Sequence, residues 1–337
     1  MPRTVVFYET GGPEVLRIEN TPDVSPGPGE VVIDVEAIGL NRAEALYRMG
    51  QYLEEPKSFP AKLGYEAAGR VSALGPGVAG FSVGQRVSTI PAFSMRDYGM
   101  YGDQVVAPAS AVAAYPENLS PVQGASIWMQ YLTAYGALVH FGQLRPEQTV
   151  LISAASSSVG IAAIQLVKSI GATSIATTRS SRKKAALIEA GATKVIATEE
   201  EDLVKAVYET TGGKGVDLVF DPVAGKFVQT LAQICAAGAT IFEYGALSGE
   251  PTPFPLFLAL QKGLSVRGYT LFELHQNPTA RDKGLKFIFE RLESGEFVPL
   301  VDKTFPFEQV VAAHRYMEEN NQIGKIVLEV SLPRIDS

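Results

Sequence analysis

The chain is poor in the residues that staple or metallate a small protein. A single cysteine, Cys235, stands among 337 residues, which excludes an internal disulfide and any zinc site built from several cysteines. Cys235 itself reads as a small apolar packing residue rather than a reactive thiol. Histidine is scarce as well, and His140, His275 and His314 fall in unrelated segments, where each reads as a structural or surface residue rather than a ligand. No apolar run approaches the roughly 18 residues of a membrane span. The longest candidate, Phe254 to Leu260, is short and preceded by prolines. The opening MPRTVVFYET carries no apolar leader core, so a cytosolic protein is expected. Basic runs are short and the net charge is −7, which argues against nucleic acid or an anionic membrane as the main partner. No internal repeat or low-complexity segment is present.

What is there is a chain of 46% hydrophobic and 19% charged residues, long enough for about two domains. Thr4 to Glu9, Leu16 to Asn20 and Val31 to Gly39 are strand-like and separated by glycine- and proline-rich turns. A short helix is expected over Asn41 to Met49. Further strands are expected over Leu63 to Leu74, Gln85 to Pro91 and Gly102 to Ala107, so the first 120 or so residues read as a compact β-barrel. After Pro121 the character changes. Val122 to Val139 is apolar at helical spacing, and strands at 149–153, 173–178, 194–197, 216–220, 239–244 and 264–269 alternate with helices, implying a doubly wound parallel α/β sheet. Gly171, Gly191 and Gly238 are each expected just past a helix, where a left-handed residue is needed. Beyond Tyr269 come a helix over Asp282 to Ser294, a strand over Val301 to Pro306, a helix around Phe307 to Asn320 and a last strand over Lys325 to Val330. The expected organisation is one β-rich domain, 1–121 with 270–337, interrupted by a nucleotide-binding domain, 122–269, with a cleft between them.

The stretch Thr149 to Ser181 carries the first chemical signal. A strand runs into the turn Ala154-Ala155-Ser156-Ser157-Ser158-Val159-Gly160, and a helix follows. Small residues let the backbone approach a pyrophosphate, and the helix N-terminus attracts it. The G-x-G-x-x-G fingerprint is replaced by small-x-x-small-x-x-Gly, so a turn that needs small residues only for packing is the competing reading. An enzyme using NAD would place an acid about 20 residues further on to bind the ribose 2′-hydroxyl. Here the segment reads Thr177-Thr178-Arg179-Ser180-Ser181-Arg182-Lys183-Lys184, with no acid until Glu189. Cations at a helix start oppose its dipole unless an anion is present, and a 2′-phosphate would be that anion. NADPH is therefore expected over NADH, against the alternative of a solvated basic helix end.

The ordered segments GGPEVL, GLNRAEALYRMGQY, GYEAAGRVSALGPGV, VGQRV, YLTAY, the 154–160 turn and GKIVLEV resemble a zinc-free quinone oxidoreductase of the medium-chain dehydrogenase/reductase superfamily. The resemblance covers nearly the whole chain and implies a GroES-like catalytic domain joined to a Rossmann domain. In zinc-dependent members of that superfamily the metal is held at places where this chain has Asn41, Tyr65 and Met129, none of them a usual zinc ligand, so no metal is expected. The resemblance further implies that Lys183 meets the 2′-phosphate, with Thr178 and Arg179 beside it and the turn residues Ala155 to Gly160 on the pyrophosphate. It puts Asn41, Thr133 and Gly245 near the nicotinamide, with Gly324-Lys325 closing over the cofactor. Asn41 could equally cap the helix that starts at Arg42.

Without a metal to polarise an isolated ketone, the acceptor needs its own electron sink, as quinones and conjugated carbonyls have. By resemblance, Tyr52 is a proton donor or oxyanion partner, with solvent as the competing proton source and a plain loop aromatic as the competing role. Tyr52, Tyr65, Trp128, Met129 and Tyr131, joined by Tyr269 and Phe272, are implied as an aromatic pocket for a flat, apolar acceptor. Arg42 either contacts a substrate carbonyl or pairs with Glu44. A homodimer formed along Leu264 to Gly268 is implied too. Two other readings stay open: reduction of 2-enoyl thioesters or 2-alkenals, and a non-catalytic NADPH-binding module.

Overall fold

The computed structural model describes residues 1–331. The chain divides into two compact units, one of residues 1–129 with 299 onward and one of residues 130–298. The first unit opens with strands β1 (Arg3–Val6), β2 (Arg17–Asn20), β3 (Glu30–Gly39), β4 (Glu66–Leu74), β5 (Arg86–Thr89), β6 (Gln104–Pro108) and β7 (Val112–Ala113). Strand β3 is its spine. It is buried over most of its length and pairs with β4 along one edge, leaving the other edge to β6 at its start and to the chain's last strand at its end. Gly39 ends β3 because nothing larger fits: a Cβ there would lie 1.9 Å from the Ala125 carbonyl oxygen.

The second unit holds β8 (Thr149–Ile152), β9 (Thr173–Thr178), β10 (Lys194–Ala197), β11 (Val216–Asp221), β12 (Cys235–Glu243) and β13 (Ser265–Gly268). All pair in parallel, in the order β10-β9-β8-β11-β12-β13. This is the doubly wound order with its switch point between β8 and β11, where such sheets bind ligands beyond the strands' carboxyl ends. Leu151, Ile175, Val219 and Ile241 fill the sheet's core against Val207, Val228 and Leu231 from the covering helices. Strands β14 (Val301–Pro306) and β15 (Lys325–Glu329) then rejoin the first unit, β15 closing against β3.

Three sequence expectations are corrected. The apolar stretch 122–139 is not one helix but Pro121–Gly124, Trp128–Ala134 and a wider π-type turn, Tyr135–Phe141. The break follows from competing bonds, since Ser126 Oγ donates back to the Val122 carbonyl and the Met129 N–H goes to the Glu66 carboxylate. Gly238 does have a left-handed φ of 75°, but it lies inside β12, where the pairing with β11 slips register, rather than past a helix. Finally, the units meet at 129/130 and 298/299 rather than at 121/122 and 269/270. The helix Pro278–Glu293 belongs to the second unit, because Phe287 packs on Tyr135 and Phe297 stacks on Tyr131 at 5.0 Å. No helix among the described residues is long and apolar enough to cross a membrane.

In the first unit, the helix Arg42–Arg48 is tied to the helix Val310–Glu318 by a fully buried arginine. Arg48 donates to the Gly11 carbonyl, to His314 Nδ1 at 2.9 Å and to Glu318. His314 is therefore held neutral: burial, then the charges of Arg48 and Arg42, push its imidazole down to about 3. Between the ordinary histidine value near 6.5 and about 3, the unfolded chain binds a proton that the folded chain refuses. Stability should fall as pH drops through that window, with a slope approaching ~1.4 kcal/mol per pH unit from this group. Urea unfolding from pH 7 to pH 4 should show a shallower loss in His314→Asn than in the parent; equal slopes would refute the assignment.

Candidate active site

The first unit concentrates its buried charge at the start of the helix Arg42–Arg48. Asn41 stands at the N-cap in extended conformation, and the Glu44 side chain reaches back to accept from the Asn41 N–H at 2.9 Å. The local pattern Asn-x-x-Glu is thus a helix-start signal, but both side chains do more. Glu44 is fully buried and its oxygens accept from Asn41 N and Nδ2, the Tyr65 N–H and the Tyr101 hydroxyl. Burial pushes its carboxyl up, while the Tyr101 and Asn41 donors and the nearby Lys325 charge pull it back. Four donors match the four lone-pair sites of a carboxylate, so the ionised form is the one this pocket is built for.

Beside it lies a second buried carboxylate, Glu66, at the start of β4. It accepts from the Met129 N–H at 2.9 Å and from the ammonium of Lys325 at 2.5 Å. Lys325, 1% exposed at the start of β15, also donates to Asn41 Oδ1 at 2.7 Å. Asn41 Nδ2 in turn faces Gly39 O, Glu44 and Glu66. The asparagine amide joins the two acids to the one ammonium. No group of three or more His, Cys, Asp and Glu residues placed to hold a metal occurs among the described residues.

The expected pocket residues of this unit divide. Tyr52 is half-buried, and burial pushes its phenol up to about 12 despite the pull of Tyr65. Tyr65 is fully buried against Phe93. Trp128 is core, its Nε1 donating to Ser88 Oγ, while Met129 contributes its backbone to Glu66. Arg42 does not pair with Glu44 in this structure. It donates to the Met317 carbonyl and to Asn320 Oδ1, capping the helix Val310–Glu318 from the side. Asn41 and Lys325, both implied as cofactor contacts, hold each other and Glu66. Sequence reasoning missed Glu44, Glu66 and Tyr101; the first two carried a signal, one in the helix-start spacing and the other beside Tyr65.

In the second unit, the 154–160 turn follows β8 and leads into the helix Ser158–Ile170. Ser157 caps this helix, its Oγ accepting from the Gly160 N–H at 3.0 Å. Ala154 adopts φ 43°, the left-handed conformation for which a glycine fingerprint supplies glycine. Gly160 is the one position of the fingerprint retained as glycine, and a Cβ there would lie 2.5 Å from the Ala155 carbonyl oxygen. The Lys183 ammonium crosses from the end of β9 to the turn and donates to Ser156 Oγ at 3.1 Å, while Arg179 is exposed beside it. Thr178 ends β9, and Gly245 follows β12 so closely against Pro222 that a Cβ would lie 2.8 Å from its carbonyl oxygen. Thr133 is buried on the helix Trp128–Ala134. Tyr131 and Tyr269 are core residues here: Tyr131 donates to Gln165 and stacks on Phe297, and Tyr269 packs against Gly136, Phe141 and Phe242.

Comparison with known proteins agrees with both halves. A profile described as Alcohol dehydrogenase GroES-like domain matches residues 27–117, and one described as Zinc-binding dehydrogenase matches residues 158–287. The 2-haloacrylate reductase of Burkholderia sp is 31% identical over 97% of this chain and 99% of its own length. Quinone oxidoreductase 1 of Escherichia coli is 31% identical over the same shares. The chain belongs to the quinone oxidoreductases of the medium-chain dehydrogenase/reductase superfamily. A solved structure of this oxidoreductase family, the Escherichia coli enzyme complexed with NADPH, superposes with a TM-score of 0.88 at 29% identity, covering 97% of this chain and 99% of that one.

In the first unit the Lys325–Glu66 pair is buried on both sides, so removing one partner strands the other charge. Lys325→Met should cost about 3–5 kcal/mol of unfolding free energy in urea titration. The double variant Lys325→Met, Glu66→Gln should recover part of that loss. Additive losses would show that the two groups do not act as a pair.

Proposed function

We propose that this protein reduces quinones or other conjugated carbonyls with NADPH by a metal-independent hydride transfer. The observation that carries the cofactor choice is the Lys183 ammonium, buried and bonded to Ser156 of the dinucleotide turn, at the end of a strand that bears no acid. A ribose 2′-phosphate fits such a site, because an anion there offsets cations placed at a helix start. The turn residues Ala155 to Gly160, with the capped N-terminus of the helix Ser158–Ile170, would hold the pyrophosphate. The solved Escherichia coli relative in complex with NADPH supports the same choice. Bound there, NADPH supplies the hydride.

The chain's own residues then have the remaining work. Hydride added to a quinone or to a conjugated β-carbon leaves an oxyanion or enolate that needs a proton and a hydrogen bond. Tyr52 is the proposed donor. Its phenol, pushed up to about 12, stays protonated at neutral pH and can give its proton away. Thr133 and Gly245 are the further residues proposed near the nicotinamide. An activated alkene is the second acceptor class, favoured by the 2-haloacrylate reductase among the relatives.

A homodimer belongs to the same reading. Strand β13 is an edge strand of the second unit's sheet, and Phe254, Leu256, Phe257 and Leu260 lie exposed just before it, Phe257 at 84%. An apolar face of this kind beside an unpaired edge is suited to a second copy of the chain. Phe257→Glu should convert dimer to monomer in sedimentation velocity; a parent that already sediments as a monomer would remove this part.

Initial rates of NADPH oxidation, measured with a chelator present against matched panels of quinones and 2-alkenals, test the main reading. Turnover should survive chelation, and the better panel identifies the acceptor class. Lys183→Ala should raise KM for NADPH by about tenfold and leave KM for NADH nearly unchanged. Equal effects on the two cofactors would discard the 2′-phosphate role, and no turnover with either panel despite NADPH binding would favour a non-catalytic module.

A further inference from the structure

The segment that carries Tyr52 is tied to the first unit at its two ends. At the first, Gly50 turns the chain out of the helix Arg42–Arg48 with a left-handed φ of 69°, and the Gln51 N–H donates to the Leu46 carbonyl at 2.8 Å. At the second, the Phe59 ring meets Phe7 at 5.8 Å, and Ala61 exchanges backbone hydrogen bonds with Phe7. Residues 52–58 between them form no helix or strand, and among the described residues none of them makes a backbone–backbone hydrogen bond. What holds this stretch is a clasp to the turn 94–98. The Ser94 carbonyl accepts from the Asp97 and Tyr98 N–H groups at 3.1 Å, and Ser94 Oγ accepts from the Arg96 N–H. The remaining N–H of the turn, that of Met95, donates to Glu54 Oε1 at 3.0 Å, and the Ser94 hydroxyl donates to Glu54 Oε2. Glu54 thus completes the turn from outside it. Arg96 donates to the Glu55 carbonyl beside it, while the Lys57–Asp97 pair is 57% and 51% exposed and adds little. The turn itself is fixed. Phe93 and Met95 are buried, Tyr98 packs on Phe93, and the Tyr98 hydroxyl donates to Glu30 at the start of β3 at 2.7 Å.

We propose that Glu54 is a positioning residue for the reduction: by clasping the 94–98 turn it holds Tyr52 at the place from which the phenol gives its proton to the reduced acceptor. The inference rests on the proton-donor role proposed above for Tyr52 and extends it to the residue that fixes the donor's segment. Tyr52 lies between two anchors, Gln51 before it and Glu54 after it. Two residues of chain reach at most about 7 Å, so a fixed Glu54 leaves Tyr52 only a short tether. The step balances simply. The acceptor gains a hydride from reduced nicotinamide and a proton from Tyr52; the Tyr52 O–H bond breaks as the new bond to hydrogen forms on the product, and water later returns the proton. Proton transfer needs donor and acceptor within hydrogen-bond reach, so a slack segment lowers the fraction of encounters that react without weakening cofactor binding. Both groups that Glu54 accepts from are neutral. A side-chain amide can satisfy them as well, its oxygen accepting from the Met95 N–H and its NH2 donating to Ser94 Oγ. The clasp therefore depends on the length and hydrogen bonding of the side chain rather than on its charge.

The test combines a double-mutant cycle, on steady-state reduction of the best quinone or alkenal, with hydrogen exchange over residues 52–58. Glu54→Ala should lower kcat by about tenfold with KM for NADPH unchanged, and should speed exchange in that segment. Glu54→Gln should stay within about twofold of the parent in kcat, because the amide keeps the clasp. Tyr52→Phe should lower kcat at least as far as Glu54→Ala, and adding Glu54→Ala to it should cost nothing more. Three results would overturn the inference while leaving Tyr52 as donor: a Glu54→Ala enzyme with the parent's kcat, losses that multiply in the double variant, or a Glu54→Gln enzyme as slow as Glu54→Ala. Full activity in Tyr52→Phe would instead remove the donor role itself. Thermal unfolding, with NADPH binding followed by cofactor fluorescence, separates a folding defect from these outcomes. If Glu54→Ala fails to fold, Glu54→Asp takes its place. One methylene shorter, it keeps the charge but not the reach to both donors, and a kcat equal to the parent's would count against the proposal.

Discussion

Two buried carboxylates and one buried ammonium set the constraint around which the first unit is assembled. Glu44, Glu66 and Lys325 come from a helix, from strand β4 and from the final strand, and Asn41 joins them. Such a cluster is tolerable only if every charge is met by hydrogen bonds, because an unpaired buried charge costs several kcal/mol. The consequence is geometric. The start of the helix Arg42–Arg48, the backbone at Met129 and the β15 strand cannot shift independently, and Gly39 has no side chain so that the Ala125 carbonyl can come close. The Tyr65 backbone is held by the same Glu44.

The second unit depends on a different economy of groups. Its sheet is held by apolar packing, and polar chemistry is confined to the ends of the strands. At the turn after β8, Ala154 carries the left-handed conformation and Ser157 caps the helix, while the close approach at Gly160 admits no side chain. Lys183, reaching from the end of β9, brings a positive charge to this turn. Small residues, a helix N-terminus and a lysine are the parts of the anion site proposed here, which does without the usual glycine fingerprint. The Alcohol dehydrogenase GroES-like profile that the chain matches over residues 27–117 is accompanied, in the first unit, by a lysine-centred network of Asn41, Glu66 and Lys325.

The strand pattern of both units was legible because its causes are local. Alternating or continuous apolar runs separated by glycine mark β8 to β11 within a residue or so, and Gly171 and Gly191 take the left-handed conformation expected of them. The misreadings share one cause, which is competition from distant partners. Periodicity alone makes 122–139 a helix, but Glu66 takes the Met129 N–H and breaks it. Proximity in sequence suggests that Arg42 pairs with Glu44, yet Arg42 caps a helix near residue 320 and Glu44 is already saturated by Asn41, Tyr65 and Tyr101.

The amino-acid order was sufficient for the doubly wound α/β architecture, the β-rich partner unit, the small-residue turn, the basic end of β9 and the family resemblance, since each rests on composition or spacing within about thirty residues. The assignment of roles to Asn41, Lys325, Tyr65 and Tyr131 needed the folded chain. Lys325 and Glu66 are far apart in sequence, and no local rule says that an ammonium and a carboxylate will be buried together. Aromatic residues look alike along a sequence, and packing alone separates Tyr131, stacked in a core, from Tyr52, which keeps part of its surface. Long-range burial sets the charge state and the partners of every polar group at the site, and burial is a property of the tertiary arrangement.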